Sequence, residues 1–225
     1  FRPGPVFAHV VLADEINRAP AKVQSAMLEA MAEKQVTVDN QTHPLDPLFF
    51  VIATQNPLDL AGTYPLPTPQ LDRFLFKITM DHIERDAELK VLETYPDTAL
   101  ARAQAAPHCS REDILGARTA LRGHVRIDGA IKAALVDLAR ALRADEHVLQ
   151  GASTRALLLT LPALQARALI HGRDHVIPED LAELAPAIFA HRIECSAGHS
   201  SPQDIIRAHV ATEVDRLAKA TLRGR

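Results

Sequence analysis

Val10-Val-Leu-Ala-Asp14-Glu15 is the most informative segment of the sequence for the fold, because an apolar run ends there in two acids. The valine-rich residues 6–13 predict a buried strand of a parallel sheet. Ligands bind beyond the carboxyl ends of strands in open parallel sheets, so both acids stand where chemistry is expected. Asp14 could hold Mg²⁺ through water while Glu15 activates an attacking water. Alternatively, the two acids begin a loop and favour the dipole of the next helix.

A second apolar run, Phe49-Phe-Val-Ile-Ala-Thr-Gln-Asn56-Pro57, has the same form. Residues 48–54 predict another buried strand, which delivers polar side chains at its tip. The amide of Asn56 could hydrogen-bond a γ-phosphate or the water that attacks it, because an amide both donates and accepts. The alternative is an ordinary turn, since Asn-Pro favours turn initiation.

The segments around these two strands predict an α/β arrangement. Pro20 opens a helix over residues 21–33, and residues 35–45 alternate as a hairpin whose turn is Asp39-Asn40. Four prolines and Gly62 make residues 57–69 a shaped loop, and residues 75–80 predict one more short strand.

Helical periodicity replaces strand patterns in the second half of the chain. We place a domain boundary near residue 110, which separates an α/β part (1–110) from an all-α part (111–225). Pro162 and Pro186 are expected to kink or shorten the helices that contain them. The predicted helices cover residues 83–94, 111–121, 129–143, 154–170, 178–192 and 202–222.

Two arginines lie in segments that suggest a role with anions. Arg73 stands in Gln70-Leu-Asp72-Arg73-Phe74, where it either forms a surface ion pair or acts on a neighbouring subunit's phosphate as an arginine finger. Arg155 follows Ser153, a good N-cap, so it falls in the first helical turn, where a cation opposes the dipole. That position favours a bound anion, but an ordinary solvated arginine fits equally well.

Composition narrows the class of protein. The net charge is -3, with 25 basic against 28 acidic residues and no basic block, so the electrostatic footprint of a nucleic-acid binder is missing. Cys109 and Cys195 fit no disulfide framework, which favours a reducing, cytoplasmic location. No apolar run reaches the ~18 residues of a membrane span.

Taken in order, the four polar segments resemble Walker B, sensor 1, arginine finger and sensor 2 of AAA+ ATPases. The fuller resemblance is to the MoxR family, through Leu12-Ala-Asp-Glu-Ile-Asn-Arg-Ala19, Gln24-Ser-Ala-Met-Leu-Glu-Ala-Met31, Ala53-Thr-Gln-Asn-Pro57, Gly62-Thr-Tyr-Pro-Leu-Pro67 and Gln70-Leu-Asp-Arg-Phe74. It continues in Gly172-Arg-Asp-His-Val-Ile-Pro-Glu-Asp180 and His191-Arg192. The resemblance implies part of a P-loop NTPase core, a hairpin inserted before sensor 1, and an all-α lid.

The resemblance also implies roles, with ATP and Mg²⁺ as cofactors. Asp14 would ligate Mg²⁺, Glu15 would activate water, and Asn56 would position it. Arg155 would contact the γ-phosphate from the lid, and Arg73 would reach the ATP of the adjacent protomer in a ring, usually a hexamer. Relatives act as chaperone-like ATPases on protein clients, often with von Willebrand factor A-domain partners.

The phosphate-binding pattern Gly-x-x-x-x-Gly-Lys-Ser/Thr does not occur in these 225 residues. Relatives carry it N-terminal to the matched region, so we expect truncation rather than loss, and we expect the isolated chain to bind and hydrolyse ATP poorly. Two alternatives stay open: a nucleic-acid-stimulated motor, which the charge balance disfavours, and a non-hydrolysing assembly module.

Overall fold

The computed structural model describes residues 4–56, 62–95, 97, 109–196 and 201–223. The first half holds a short helical turn (Pro5–Phe7) and the elements β1 (Val10–Ala13), α1 (Ala21–Glu33), β2 (Gln35–Val38), β3 (Gln41–Pro44), β4 (Phe50–Ala53), α2 (Thr68–Leu71) and α3 (Arg85–Thr94). Strand, helix, hairpin and strand follow one another as the sequence predicts.

Strands β1 and β4 pair in parallel, with Val10 opposite Phe50 and Ala13 opposite Ala53. This register places the residue that follows each strand, Asp14 and Thr54, side by side at the carboxyl edge. One face of the pair packs on α1 through residues such as Val11 and Val51. The opposite face exposes four apolar side chains: Val10, Leu12, Phe50 and Ile52. Such a continuous apolar face is unusual for a free surface.

The predicted hairpin is confirmed. Strands β2 and β3 pair antiparallel, with Gln35 opposite Pro44. Asp39 and Asn40 both have positive φ, 49° and 61°, which is the requirement of the tight turn that matches strand twist. The hairpin follows α1 directly, because Lys34 ends that helix in the left-handed conformation.

Two strand predictions need correction. The first strand begins at Val10 rather than Val6, because Pro5–Phe7 forms a 3-10 turn. The strand predicted over residues 75–80 is absent, and that segment is irregular. A strand needs a neighbouring strand to bond with, but the Lys77 amide donates to the carbonyl oxygen of Ala187 in a helix instead. Met80 is 91% exposed and does not pack in a core. The loop prediction for residues 57–69 falls partly outside the described residues.

In the second half, the helices of the described residues pack around one apolar core. They are α4 (Arg111–His124), α5 (Gly129–Ala144), α6 (Thr154–Ile170), α7 (Pro178–Phe189) and α8 (Pro202–Arg223). Leu138, Leu142, Leu164, Ile188 and Ile206 are fully buried there. Both α6 and α7 continue through their prolines, although α7 ends at Phe189, short of the predicted 192.

This half is not purely helical, contrary to the sequence prediction. Strands β5 (Val148–Gln150) and β6 (Glu194–Cys195) form a small antiparallel pair. They are too short to show a period in sequence. None of the helices among the described residues combines the length and apolarity that crossing a bilayer requires.

Candidate functional site

The two acids after β1 are joined by a threonine from the neighbouring strand. The Thr54 hydroxyl donates to Asp14 Oδ1 at 2.5 Å and accepts the backbone N–H of Glu15 at 2.9 Å. A hydroxyl has one proton to donate and lone pairs to accept, so Thr54 fixes the orientation of Asp14 and the backbone of Glu15 together. Parallel pairing of β1 with β4 makes this contact possible.

Glu15 adopts the left-handed conformation, with φ 49° and ψ 48°. That conformation is disfavoured for a residue with a Cβ, and such outliers cluster at functional sites. Two bonds to Thr54, the residue after β4, hold this segment. The Glu15 amide donates to Thr54 Oγ1, and the Ile16 amide donates to the carbonyl oxygen of Thr54 at 3.0 Å. The Glu15 carboxylate is half-exposed and pairs with Arg18 Nε at 3.2 Å.

Asn17 and Gln24 brace the loops around the acids. Asn17 is 8% exposed, and its amide nitrogen donates to the carbonyl oxygen of Asn56 at 3.5 Å. Its Oδ1 is buried without a hydrogen-bond partner in the described structure. Gln24 donates to the carbonyl oxygens of Ile16 and Tyr64, at 3.1 and 2.9 Å. The main chain of Asn56 is therefore attached to the segment that follows the acids.

The donor set at this edge fits a hydrated magnesium ion. One Asp14 oxygen is bound by Thr54, which leaves the other available to a metal-bound water. The described residues contain no group of three or more His, Cys, Asp or Glu side chains that could cage a metal. Mg²⁺ is commonly held by one or two carboxylates, waters and substrate phosphates rather than an all-protein cage. The Asp14 carboxylate satisfies that pattern.

Arg73 and Asp72 do not pair with each other. Arg73 is half-buried, and its Nη1 donates to the carbonyl oxygen of Leu28 in α1 at 2.9 Å. Asp72 instead binds two groups of the helical half: Arg192 Nε donates to Oδ1 at 2.9 Å, and Ser153 Oγ donates to Oδ2 at 2.9 Å. The surface Asp–Arg ion pair considered from sequence is absent.

Arg192 and His191 attach the segment after α2 to the end of α7. Arg192 is 2% exposed and donates to the carbonyl oxygens of Leu75 at 3.1 Å and of Asp72 at 3.3 Å, as well as to Phe74 and Ile188. Burial lowers the pKa of its guanidinium, while the hydrogen bond from Arg192 to Asp72 opposes that shift. His191 Nε2 bonds the carbonyl oxygen of Phe74 at 3.0 Å, and burial lowers the pKa of His191 to about 4.

Ser153 caps α6 as the sequence predicts, because its hydroxyl accepts the Ala156 amide at 3.2 Å. Arg155 is the second residue of that helix, and its side chain is exposed. Within the described part of the chain its guanidinium has no hydrogen-bond or ion-pair partner. A cation at a helix N-terminus opposes the dipole, so an anion bound nearby would relieve the repulsion.

The site residues predicted from sequence thus fall into two groups. Asp14 and Glu15 meet through Thr54, and the main chain of Asn56 lies beside them. The segments of Arg73 and Arg155 meet each other through Asp72 and Ser153. Sequence reasoning did not find Thr54 or Asn17 as contributors, although the same apolar strand that signalled Asn56 delivers Thr54.

Two family models match the chain. The model described as "ATPase family associated with various cellular activities (AAA)" matches residues 1–76. The model described as "AAA lid domain" matches residues 140–209. Their order agrees with an α/β part that carries the acid pair and a helical part that carries Arg155.

Curated proteins and a solved structure resemble the chain over most of its length. "Uncharacterized protein YeaC" of Bacillus subtilis is 44% identical over 86% of this chain and 60% of its own length. "Chaperone MoxR1" of Mycobacterium tuberculosis is 38% identical over 93% and 58%. The crystal structure of a putative ATPase from Cytophaga hutchinsonii has a TM-score of 0.86 at 38% identity, covering 93% of this chain and 67% of that one. The chain spans about 60% of the length of those two curated relatives. The fold and the comparisons agree: this chain belongs to the MoxR family of AAA+ ATPases.

Proposed function

We propose that the site at the ends of β1 and β4 hydrolyses ATP in the full-length gene product. The observation that carries the proposal is the Asp14–Thr54–Glu15 arrangement, in which one hydroxyl fixes a carboxylate and a strained backbone. Strain of this kind persists only where surrounding bonds maintain it. What distinguishes Glu15 is that the Thr54 hydroxyl which holds its backbone also binds the Asp14 carboxylate.

The two acids take different roles in this proposal. Asp14 holds Mg²⁺, largely through water, because one of its oxygens is bound by Thr54. Glu15 polarises the attacking water, and Asn56 positions that water and the γ-phosphate. The Glu15–Arg18 ion pair must open for the carboxylate to act, which its half-exposed position permits. ATP is gripped by a Gly-x-x-x-x-Gly-Lys-Ser/Thr segment outside these 225 residues; the greater length of the relatives supports this.

Arg155 and Arg73 stabilise the negative charge of the nucleotide phosphates in this proposal. Arg155, exposed at the start of α6, contacts the γ-phosphate of its own subunit. Arg73 contacts the nucleotide of the adjacent protomer in a ring, which we propose to be a hexamer; it must then exchange its bond to Leu28 for the phosphate. Residues 1–110 form the nucleotide-binding part and residues 111–225 the lid.

Hydrolysis is coupled to remodelling or activation of a client protein in the cytoplasm. The relative from Mycobacterium tuberculosis that is named a chaperone supports this class of activity, and a von Willebrand factor A-domain protein is the proposed partner. The chain's balanced charge argues against a motor that tracks nucleic acid, whose ATPase rate would rise with DNA and fall steeply with salt.

The proposal is tested by phosphate release from the full-length gene product with Mg²⁺ and ATP. Glu15→Gln removes the carboxylate that activates water but leaves Asp14 and its Thr54 bond in place. We expect hydrolysis to fall by at least ~10²-fold, the usual scale for a general base, while ATP affinity stays within about threefold, because binding rests on other groups.

The matched control is Glu29→Gln, the same change at an exposed position of α1. Glu29→Gln should hydrolyse ATP at the wild-type rate. Wild-type hydrolysis by Glu15→Gln would show that another group is the base. If the wild-type protein binds ATP and assembles but never hydrolyses it, the chain is an assembly module.

A further inference from the structure

We propose that Asp72 is a positioning residue that couples the start of α6, which carries Arg155, to the turn after α2 (residues 72–74, the α2 turn), which carries Arg73. A phosphate bound at Arg155 would thereby set the position of Arg73, which acts at the next subunit. The inference rests on the proposed function for the roles of the two arginines. The contact itself stands on geometry within this chain.

Asp72 uses both carboxylate oxygens on different elements of the helical half. Oδ2 accepts from Ser153, the N-cap of α6, and Oδ1 accepts from Arg192 at the end of α7. Hydrogen bonds to an ionised group are about twice as strong as neutral ones. Asp72 lies next to Arg73 in sequence, so a shift of this carboxylate shifts the backbone of Arg73.

The Arg192 side of the network is anchored more firmly than the Ser153 side. Arg192 is buried and, besides the Asp72 carboxylate, donates to several backbone carbonyl oxygens. Ser153 is exposed, and among the described residues its side chain is linked to the α/β part through Asp72. The Ser153–Asp72 bond is therefore the contact that can lengthen when the start of α6 moves, while Arg192 keeps the two halves together.

Ser153 uses one oxygen for two tasks that can be separated. Its hydroxyl proton is donated to Asp72, and its lone pair accepts the Ala156 amide. Ser153→Thr keeps both tasks. Ser153→Asp keeps the cap, because aspartate is a good N-cap, but it offers no proton to Asp72 and adds a like charge beside it. Ser153→Asp therefore breaks the link without uncapping the helix.

The experiment measures amide hydrogen exchange in the full-length gene product. The amides of Asp72, Arg73 and Phe74 are hydrogen-bonded in the α2 turn, to Thr68, Gln70 and Leu71, so their exchange reports opening of that turn. In Ser153→Asp we expect their exchange to rise about tenfold, the scale for losing one bond to a charged group. Ser153→Thr should restore wild-type exchange.

Ser201→Asp is the matched control, because Ser201 accepts the Asp204 amide at the start of α8 and also donates to that residue's carboxylate. It should leave exchange of residues 72–74 unchanged. Unchanged exchange in Ser153→Asp would overturn the coupling, whether or not the protein hydrolyses ATP. An equal rise in Ser201→Asp would also overturn it, since the effect would then be general loosening of the helical half.

A kinetic readout separates this inference from the proposed function. If the wild-type protein hydrolyses ATP, Ser153→Asp should raise KM and lower kcat together, because both arginines lose their positions, and Ser153→Thr should restore both. A change in KM alone would mean that Ser153 affects only the binding of nucleotide in its own subunit, and it would overturn the coupling. Failure of the wild type to hydrolyse ATP would refute the proposed function. The hydrogen-exchange experiment would still show whether the Ser153–Asp72 bond stabilises the α2 turn.

Discussion

Replacing Thr54 by valine is the substitution that separates the proposed site from an ordinary strand end. Valine keeps the shape and β-propensity of threonine but has no hydroxyl. Both bonds of Thr54 Oγ1 are lost: the 2.5 Å bond to Asp14 and the 2.9 Å bond from the Glu15 amide. Asp14 is then free to rotate, and the left-handed segment at Glu15 loses one of the two hydrogen bonds that tie it to Thr54.

The magnitude follows from the bonds that are removed. A neutral bond contributes about 0.5–1.5 kcal/mol and one to a charged group about 1.5–3 kcal/mol. Both bonds are solvent-exposed, which favours the lower ends, so we expect about 2 kcal/mol in total. If this loss falls on the transition state, kcat falls about 30-fold, since each 1.4 kcal/mol is a factor of ten.

The assay is steady-state phosphate release by the full-length gene product, with thermal unfolding of each variant as a check on folding. Thr54→Ser keeps both hydrogen bonds and should stay within about threefold of wild type, since no bond is lost. The reasoning would be refuted if Thr54→Val and Thr54→Ser hydrolysed ATP equally fast at saturating Mg²⁺ and ATP.

Two further predictions concern stability. In the folded chain, burial lowers the pKa of His191 to about 4, whereas in the unfolded chain this histidine takes up a proton near pH 6.5. Acid therefore favours the unfolded chain, and the free energy of unfolding should fall by about 3 kcal/mol between pH 6.5 and 4. Urea unfolding across that range measures how steeply the free energy of unfolding falls with pH. The fall should be smaller for His191→Gln than for the wild type, and unchanged for His124→Gln, an exposed site. Equal falls in the two variants would contradict the role given to His191. A Cβ at Gly151 would lie 2.5 Å from Arg143 Cγ and 3.0 Å from its Cα, so Gly151→Ala should destabilise by about 1–3 kcal/mol. Gly116→Ala, inside α4 with open space around it, should instead stabilise the fold by about 1 kcal/mol. If both substitutions changed the free energy of unfolding in the same direction, the close contact of Gly151 with Arg143 would be wrong.

Elements that depend only on residues close together in the sequence could be predicted from it. The hairpin turn at Asp39-Asn40 and the Ser153 cap depend on neighbouring residues only, and both are confirmed. The strand predicted over residues 75–80 fails because an apolar alternation such as Ile78 and Met80 becomes a strand only beside a partner strand. No partner pairs with it among the described residues, and Lys77 bonds the end of α7 instead.

The parts of the site that sequence reasoning missed depend on contacts between distant residues. Thr54 gains its role only when β4 pairs with β1 in one particular register, and a threonine at a strand end carries no signal by itself. Asp72 likewise has an adjacent arginine as its obvious partner in sequence, but its partners are Ser153 and Arg192, 81 and 120 residues away.

The proposed site is tested most directly by a structure of the full-length gene product, as Glu15→Gln, with Mg²⁺ and ATP. We expect the metal ion near Asp14, and a water between residue 15 and the γ-phosphate, at the carboxyl ends of β1 and β4. Nucleotide bound away from that edge, or a γ-phosphate whose nearest polar groups exclude Asp14, residue 15 and Asn56, would contradict it.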